Sequence, residues 1–165
     1  ALVAANEGVL DGQLGRANSV TEQYPALMQI SFPIMHANLQ LLSYCKACSM
    51  FESESIVIIS SYVAPEAYLK AQNYQGEIIK VKSSSAQLNL LIQKKVSAAL
   101  VVEFHVKKYR EKLQSLDITS KTLHKINIYH YLHKKHAKLI PQINHILGTM
   151  AKEGTIAMLK QKYGI

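Results

Sequence analysis

The chain has 165 residues, 48% of them apolar and 18% charged, with a formal net charge of +8. That length holds one ordinary domain or two small lobes with a buried core, and the apolar content argues against disorder. No apolar run approaches the roughly 18 residues of a membrane-spanning helix. Trp is absent, only two residues are Arg and the lysines are scattered, so the basic charge reads as a solvated surface and no nucleic-acid partner is expected.

ALVAANEG opens the chain and reads as the end of a helix stopped by Gly8. It carries no basic leader ahead of an apolar block, so it is not an intact signal peptide; either a leader has been removed or the sequence begins late. VLDGQLG reads as a short strand with a turn at Asp11-Gly12. A turn at Tyr24-Pro25 precedes a second extended segment, and HANLQLLSYC continues extended. The polar loop KACSMFESES follows and holds the only two cysteines, Cys45 and Cys48. A structural zinc site needs four ligands and no second CxxC exists. In an oxidising compartment a local disulfide is the simplest reading; free thiols, or a redox or metal role, are the alternatives.

IVIISS, from Ile56, is a run of β-formers suited to a strand buried on both faces. Tyr62 to Gln72 then reads as a helix, with Pro65 in its first turn and Glu66 at its positive end. GEIIKVKS is a strand. SAQLNLLIQKK is a helix with Ser84 or Ser85 as cap and Leu88, Leu91 and Ile92 on one face. VSAALVVE is a third strand and FHVKKYREKLQSL a third helix. This alternation calls for a parallel sheet with crossover helices, an α/β fold. KINIYHYL returns as an extended segment. Ile140, Ile143, Ile146, Leu147 and Met150 recur at helical spacing, Gly154 stops that helix, and Thr155 to Lys162 forms a last one. Extended crossings near Met35–Tyr44 and Lys125–Leu132 bracket the central unit. Residues 1–40 and 125–165 therefore form a first lobe and 41–124 a second, a hinged clamp with a ligand cleft between them.

IVIISSYVAPEAYL followed by IIKVKSSSAQLNLLIQKKVSAALVVE resembles the second lobe of the bacterial periplasmic solute-binding proteins of the amino-acid-binding type. The closing LHKKHAKLIPQINHILGTMAKEGTIAMLKQKYGI is similar to the end of that family, and VLDGQLGR and SFPI are similar to its first-lobe strand and its approach to the hinge. The resemblance implies a periplasmic-binding-protein-like fold. It also implies a periplasmic location, a small polar solute that is amino-acid-like or anionic, and no cofactor. An ABC permease or a membrane receptor is the partner it implies. Three departures stand out. Ser60-Ser61 replaces a Gly-Ser/Thr turn. Arg16, the nearest arginine, lies upstream of the slot of the carboxylate-clamping first-lobe arginine. The family's opening strand–helix–strand is missing, so the first lobe is incomplete; either the sequence is truncated or a second copy of the chain completes the sheet in a homodimer.

Backbone N–H groups at Ser60, Ser61 and Tyr62, between a buried strand and a helix start, suit an anion; the alternative is plain capping. Tyr62 either stacks on a ligand or covers the helix start. Glu103, at the position of the family's second-lobe Asp, suits an ammonium; the alternative is an acid stabilising the helix after it. Ser83 and Ser84, after the strand IIKVK, reach the same crevice or cap. Arg16 either faces an anionic group or pairs with Glu7, Asp11 or Glu22. His130, His133 and His136 fall on an extended segment that sends the first two to opposite sides, so they read as a solvated approach to a structural helix whose apolar stripe fills the first-lobe core. The rivals are a dehydratase-like enzyme pairing Glu103 with His36 or His105, and a remnant that binds nothing and pairs through an exposed sheet edge.

Overall fold

The computed structural model describes residues 1–18, 20–106 and 109–163. The chain divides into two units: Ala1–His36 with Asn127–Ile165, and Ala37–Ile126.

The first unit is built on the second half of a long strand, β7 (Thr119–His133). Strand β1 (Gly12–Ala17) and strand β2 (Leu27–Gln29) pair with it antiparallel, Gln13 opposite Tyr131 and Met28 opposite Leu132. A bulge lies between Gln13 and Arg16, where Gly15 takes a positive φ of 68°. Gly12 is needed at the start of β1, because a Cβ there would stand 2.1 Å from the Tyr131 carbonyl oxygen. Tyr131 is fully buried with Ala17, Val20, Leu27 and Ile30, and its hydroxyl donates to Ala17 O at 2.7 Å. Helix α1 (Leu2–Asn6) is held by Asn6 Oδ1, which accepts from Ala26 N at 2.9 Å. A one-turn helix, α2 (Val20–Gln23), precedes the Tyr24-Pro25 turn where the sequence reading has no helix.

Strand β1 starts at Gly12 rather than at Val9, which is 75% exposed. The C-terminal helices α6 (Ile140–Lys152) and α7 (Thr155–Tyr163) form as expected, with Gly154 at φ 78° between them. The expected core-filling stripe does not materialise. No residue of α6 is buried; Ile140, Ile143, Leu147 and Met150 are half-buried and Ile146 is 48% exposed. Helical spacing reports that one face is apolar, not that something covers it. Asn144 fixes α6 to the loop after β2, accepting from Ser31 N at 2.8 Å.

The second unit is a sheet in the order β3 (Met35–Ser43), β6 (Ala98–Val102), β4 (Ser55–Ile59), β5 (Glu77–Val81), with the first part of β7 beyond β3. Strands β4, β5 and β6 run parallel, and β3 is antiparallel to β6. Strand β6 is buried along its whole length, as a parallel strand covered on both faces must be. Helices α3 (Val63–Ala71) and α4 (Ser84–Ile92) are the crossovers. Leu88 and Leu91 of α4 join Leu42, Val57, Ala99, Val101, Val106, Leu113 and Ile118 in one core cluster.

Two expectations are corrected here. Ser83, not Ser84 or Ser85, caps α4, its hydroxyl accepting from Ala86 N at 3.2 Å. The third helix is shorter than its apolar pattern suggests: Glu103–His105 form a 3-10 turn, and α5 spans only Arg110–Ser115. Lys107 and Lys108 lie outside the described residues.

Candidate functional site

Because β4, β5 and β6 are parallel, their C-terminal ends open on one edge of the second unit, where open α/β sheets receive ligands. Ser60, Ser61 and Tyr62 follow β4, Ser83 follows β5 and Glu103 follows β6, so five of the six ligand-contact candidates from the sequence share this edge. Ser60 and Ser61 are exposed, with Ser60 N donating to Val81 O at 2.9 Å. Tyr62 precedes α3 without a side-chain cap, and its ring lies 4.9 Å from that of His105. The Ser83 oxygen already serves α4, which favours its capping role.

Glu103 is the best-defined group of this edge. Its Oε1 accepts from Asn38 N at 3.0 Å and its Oε2 from Asn38 Nδ2 at 2.9 Å. The carboxylate is thereby fixed in place, yet each oxygen keeps acceptor capacity. It also lines a groove of about 560 Å³ between α5 and strands β3 and β7. Leu42, Val106, Leu113 and Ile118 form the apolar floor, while Gln40, Arg110, Gln114, Thr119 and Ser120 supply the polar wall. None of these wall residues is singled out by local sequence pattern, because the groove joins residues 40, 110 and 120 through tertiary packing.

Gln87 is a second group that patterning misses. It is 1% exposed, and its Nε2 donates to Val57 O at 2.9 Å and Leu100 O at 3.0 Å. It thus bridges β4 and β6 where their pairing ends at Val57 and Ala99.

Arg16 lies in the first unit, where its Nη2 and Nε sit 3.2 and 3.4 Å from Gln13 Oε1. It is not paired with Asp11, which is held instead by Lys135 and His136, each 2.8 Å from Asp11 Oδ1. Hydrogen bonds from these two side chains, then the Lys135 charge, lower the Asp11 carboxyl to about 2. Lys135 Nζ also donates to Gly8 O, and His133 Nδ1 accepts from Lys135 N. The closing His/Lys cluster is therefore a clasp on the loop before β1. Among the described residues no group of three or more His, Cys, Asp and Glu could hold a metal. The His130 Nδ1 is buried without a hydrogen-bond partner among the described residues, and burial lowers its pKa. His36 belongs to the first unit, with Nδ1 2.7 Å from Asn127 Oδ1, and His105 to the second.

Cys45 and Cys48 are joined by a disulfide across Cα atoms 5.5 Å apart. Beside it is a shallow depression lined by Tyr44, Glu54 and Lys94, with the Lys94 ammonium 5.0 Å from the Tyr44 ring centre.

The arrangement resembles known structures. A putative binding component of an ABC transporter from Wolinella succinogenes, complexed with lysine, superposes with a TM-score of 0.76 at 13% identity, covering 98% of this chain and 72% of that one. An ancestral amino acid-binding protein, a precursor of cyclohexadienyl dehydratase, gives 0.73 at 16% identity over 98% and 72%. A histidine kinase sensor domain with similarity to periplasmic binding proteins gives 0.70 at 13% identity over 98% and 72%. No protein-family model matches the sequence, and no curated protein matches it. The fold is that of the periplasmic binding proteins, an α/β architecture of which this chain spans about three quarters.

Proposed function

We propose that this protein binds a small polar solute, amino-acid-like or anionic, outside the cytoplasm for transport or sensing, and performs no chemistry on it. The fold supports this reading, since the relatives that share it are a transporter binding component, an amino acid-binding protein and a sensor domain. The single observation that carries it is the strand-end edge of the second unit, with Glu103 fixed by two hydrogen bonds beside a solute-sized groove. Ser60, Ser61, Tyr62 and Ser83 supply further hydrogen-bonding or stacking groups on that edge. A periplasmic setting fits the Cys45–Cys48 disulfide, because such bonds persist in oxidising compartments. The partner is a permease or a membrane receptor.

The test is thermal unfolding with a panel of amino acids and small carboxylates, since a ligand that binds only the folded state raises the midpoint. A rise with one chemical class supports the reading. No rise at millimolar concentrations overturns it, and disappearance of the bound solute assigns the protein to the dehydratase-like class instead.

A second reading rests on the first unit, where Val9, Leu14, Met158 and Tyr163 are more than half exposed and α6 buries nothing. A second copy of the chain, pairing beside β1, covers these side chains. Sedimentation at micromolar concentrations tests it: a dimer supports the reading, and a monomer overturns it.

A further inference from the structure

The Cys45–Cys48 disulfide joins residues at a sequence separation of 3. A cross-link stabilises a fold less the shorter the loop it closes, so this one adds little as a staple. Other bonds already hold the turn that carries it. Thr119 Oγ1 lies 3.1 Å from Ser43 O and 3.3 Å from Cys45 O, Ser43 Oγ donates to Cys45 O at 2.9 Å, and Ser49 N donates to the Glu52 carboxylate. The two sulfurs differ in setting. Cys45 is exposed, Cys48 is half-buried, and the Cys48 N–H donates to Cys45 Sγ at 3.2 Å. That N–H favours negative charge on the Cys45 sulfur, the form in which a thiol attacks or leaves. An accessible sulfur backed by a shielded partner is the arrangement of an exchangeable pair. The depression beside Cys45, about 460 Å³, is a second and independent observation. Lys94 and Lys95, both exposed, line it against one carboxylate, Glu54, and Lys46 lies between the cysteines. Its surplus of ammonium groups attracts anions. It lies where β4 and β6 begin, whereas Ser60 and Glu103 follow their ends.

We infer that Cys45–Cys48 is an exchangeable disulfide and that the depression beside it takes a low-molecular-weight thiol bearing carboxylates. The thiolate attacks Cys45 Sγ. The bond to Cys48 breaks, its electron pair leaves on Cys48 Sγ, which takes a proton from water, and a mixed disulfide stands on Cys45. A second thiol attacks the small-molecule sulfur of that mixed disulfide, and Cys45 leaves as a thiolate beside the Cys48 N–H. The protein disulfide is reduced to a dithiol, and two thiols are oxidised to one small disulfide. This goes beyond the solute-binding reading and does not depend on it.

The experiment mixes the full chain, without denaturant, with glutathione, 2-mercaptoethanol or cysteamine, an acidic, a neutral and a basic thiol. Protein thiols are trapped with a maleimide and counted by mass spectrometry. Each rate is divided by that of the same thiol with hydroxyethyl disulfide, which removes intrinsic reactivity. Glutathione is expected to reduce the folded protein, with a relative rate about threefold or more above that of cysteamine. Lys95→Glu lowers the glutathione rate and raises the cysteamine rate. Oxidised glutathione adds to Cys45 in Cys48→Ser about 10-fold faster than to Cys48 in Cys45→Ser. The reduced wild type melts close to the oxidised protein. If reduction needs denaturant, or only a protein dithiol achieves it, the inference falls. It falls equally if the two cysteines react alike in variants that melt as the wild type does, or if Lys95→Glu leaves the order of the three thiols unmoved.

Discussion

Asn38 donates twice to Glu103, once from the backbone and once from the side chain, and so fastens β3 to the end of β6. The two residues are 65 positions apart, and their pairing makes the carboxylate a structural tie as well as the ligand group proposed above. Asn38→Ala removes one charge-assisted bond at a half-buried position, and a loss of about 1–2 kcal/mol in urea unfolding is expected. Weaker solute binding accompanies it, because the carboxylate is no longer fixed. Unchanged stability and unchanged affinity would refute this double role.

Gln87 predicts a larger stability effect with no direct contact to solute. Gln87→Leu preserves approximate size but leaves Val57 O and Leu100 O without their donor, inside a sheet covered on both faces. The expected cost is about 2–4 kcal/mol by denaturant titration. Amide exchange in β4 and β6 accelerates more than exchange in β5.

Tyr131→Phe removes the hydroxyl that reaches Ala17 O from the centre of the first unit. About 1–2 kcal/mol is lost. Burial raises the pKa of this hydroxyl, so the wild-type residue stays protonated well into alkaline solution. Ultraviolet titration checks this, with one tyrosine ionising last in Tyr131-containing protein and that lag absent in the variant.

Acid weakens the first unit in two stages. His130 has a lowered pKa through burial, so the unfolded chain takes up a proton at higher pH than the folded one. Its contribution is present above about pH 6.5 and declines as pH falls below that value. Asp11, held near 2, contributes above its ordinary value of 3.8 and loses that contribution as pH falls towards 2. Thermal melts from pH 8 to pH 2 resolve the stages. In Asp11→Asn the lower stage disappears while the upper one persists; a wild-type curve flat between pH 4 and pH 2 contradicts the clasp.

The second unit is the more legible part of the sequence. IVII and AALVV are uninterrupted apolar runs of strand length, and only a strand buried on both faces uses such runs efficiently. Pro65 and Glu66 mark α3 by local chemistry alone. The groove is not legible, because Gln40, Arg110 and Ser120 meet only after β3, α5 and β7 pack, and each resembles an ordinary surface residue in its own segment. Gln87 misleads in the same way: a glutamine among leucines reads as the solvent side of a helix, whereas here two sheet carbonyls draw it inward. The stripe on α6 misleads in the opposite sense, since amphipathic spacing cannot say what lies opposite it.

The second unit is one continuous stretch, whereas the first is assembled from both ends of the chain. During synthesis the central sheet can therefore close while the C-terminal segment is still being translated. Leu27 and Ile30 must wait, because Tyr131 and the strand that carries it emerge roughly a hundred residues later. At elongation rates of about 5–20 residues per second that interval is of order ten seconds. Through it the early strands of the first unit stay unpaired and open to any holdase at the ribosome exit.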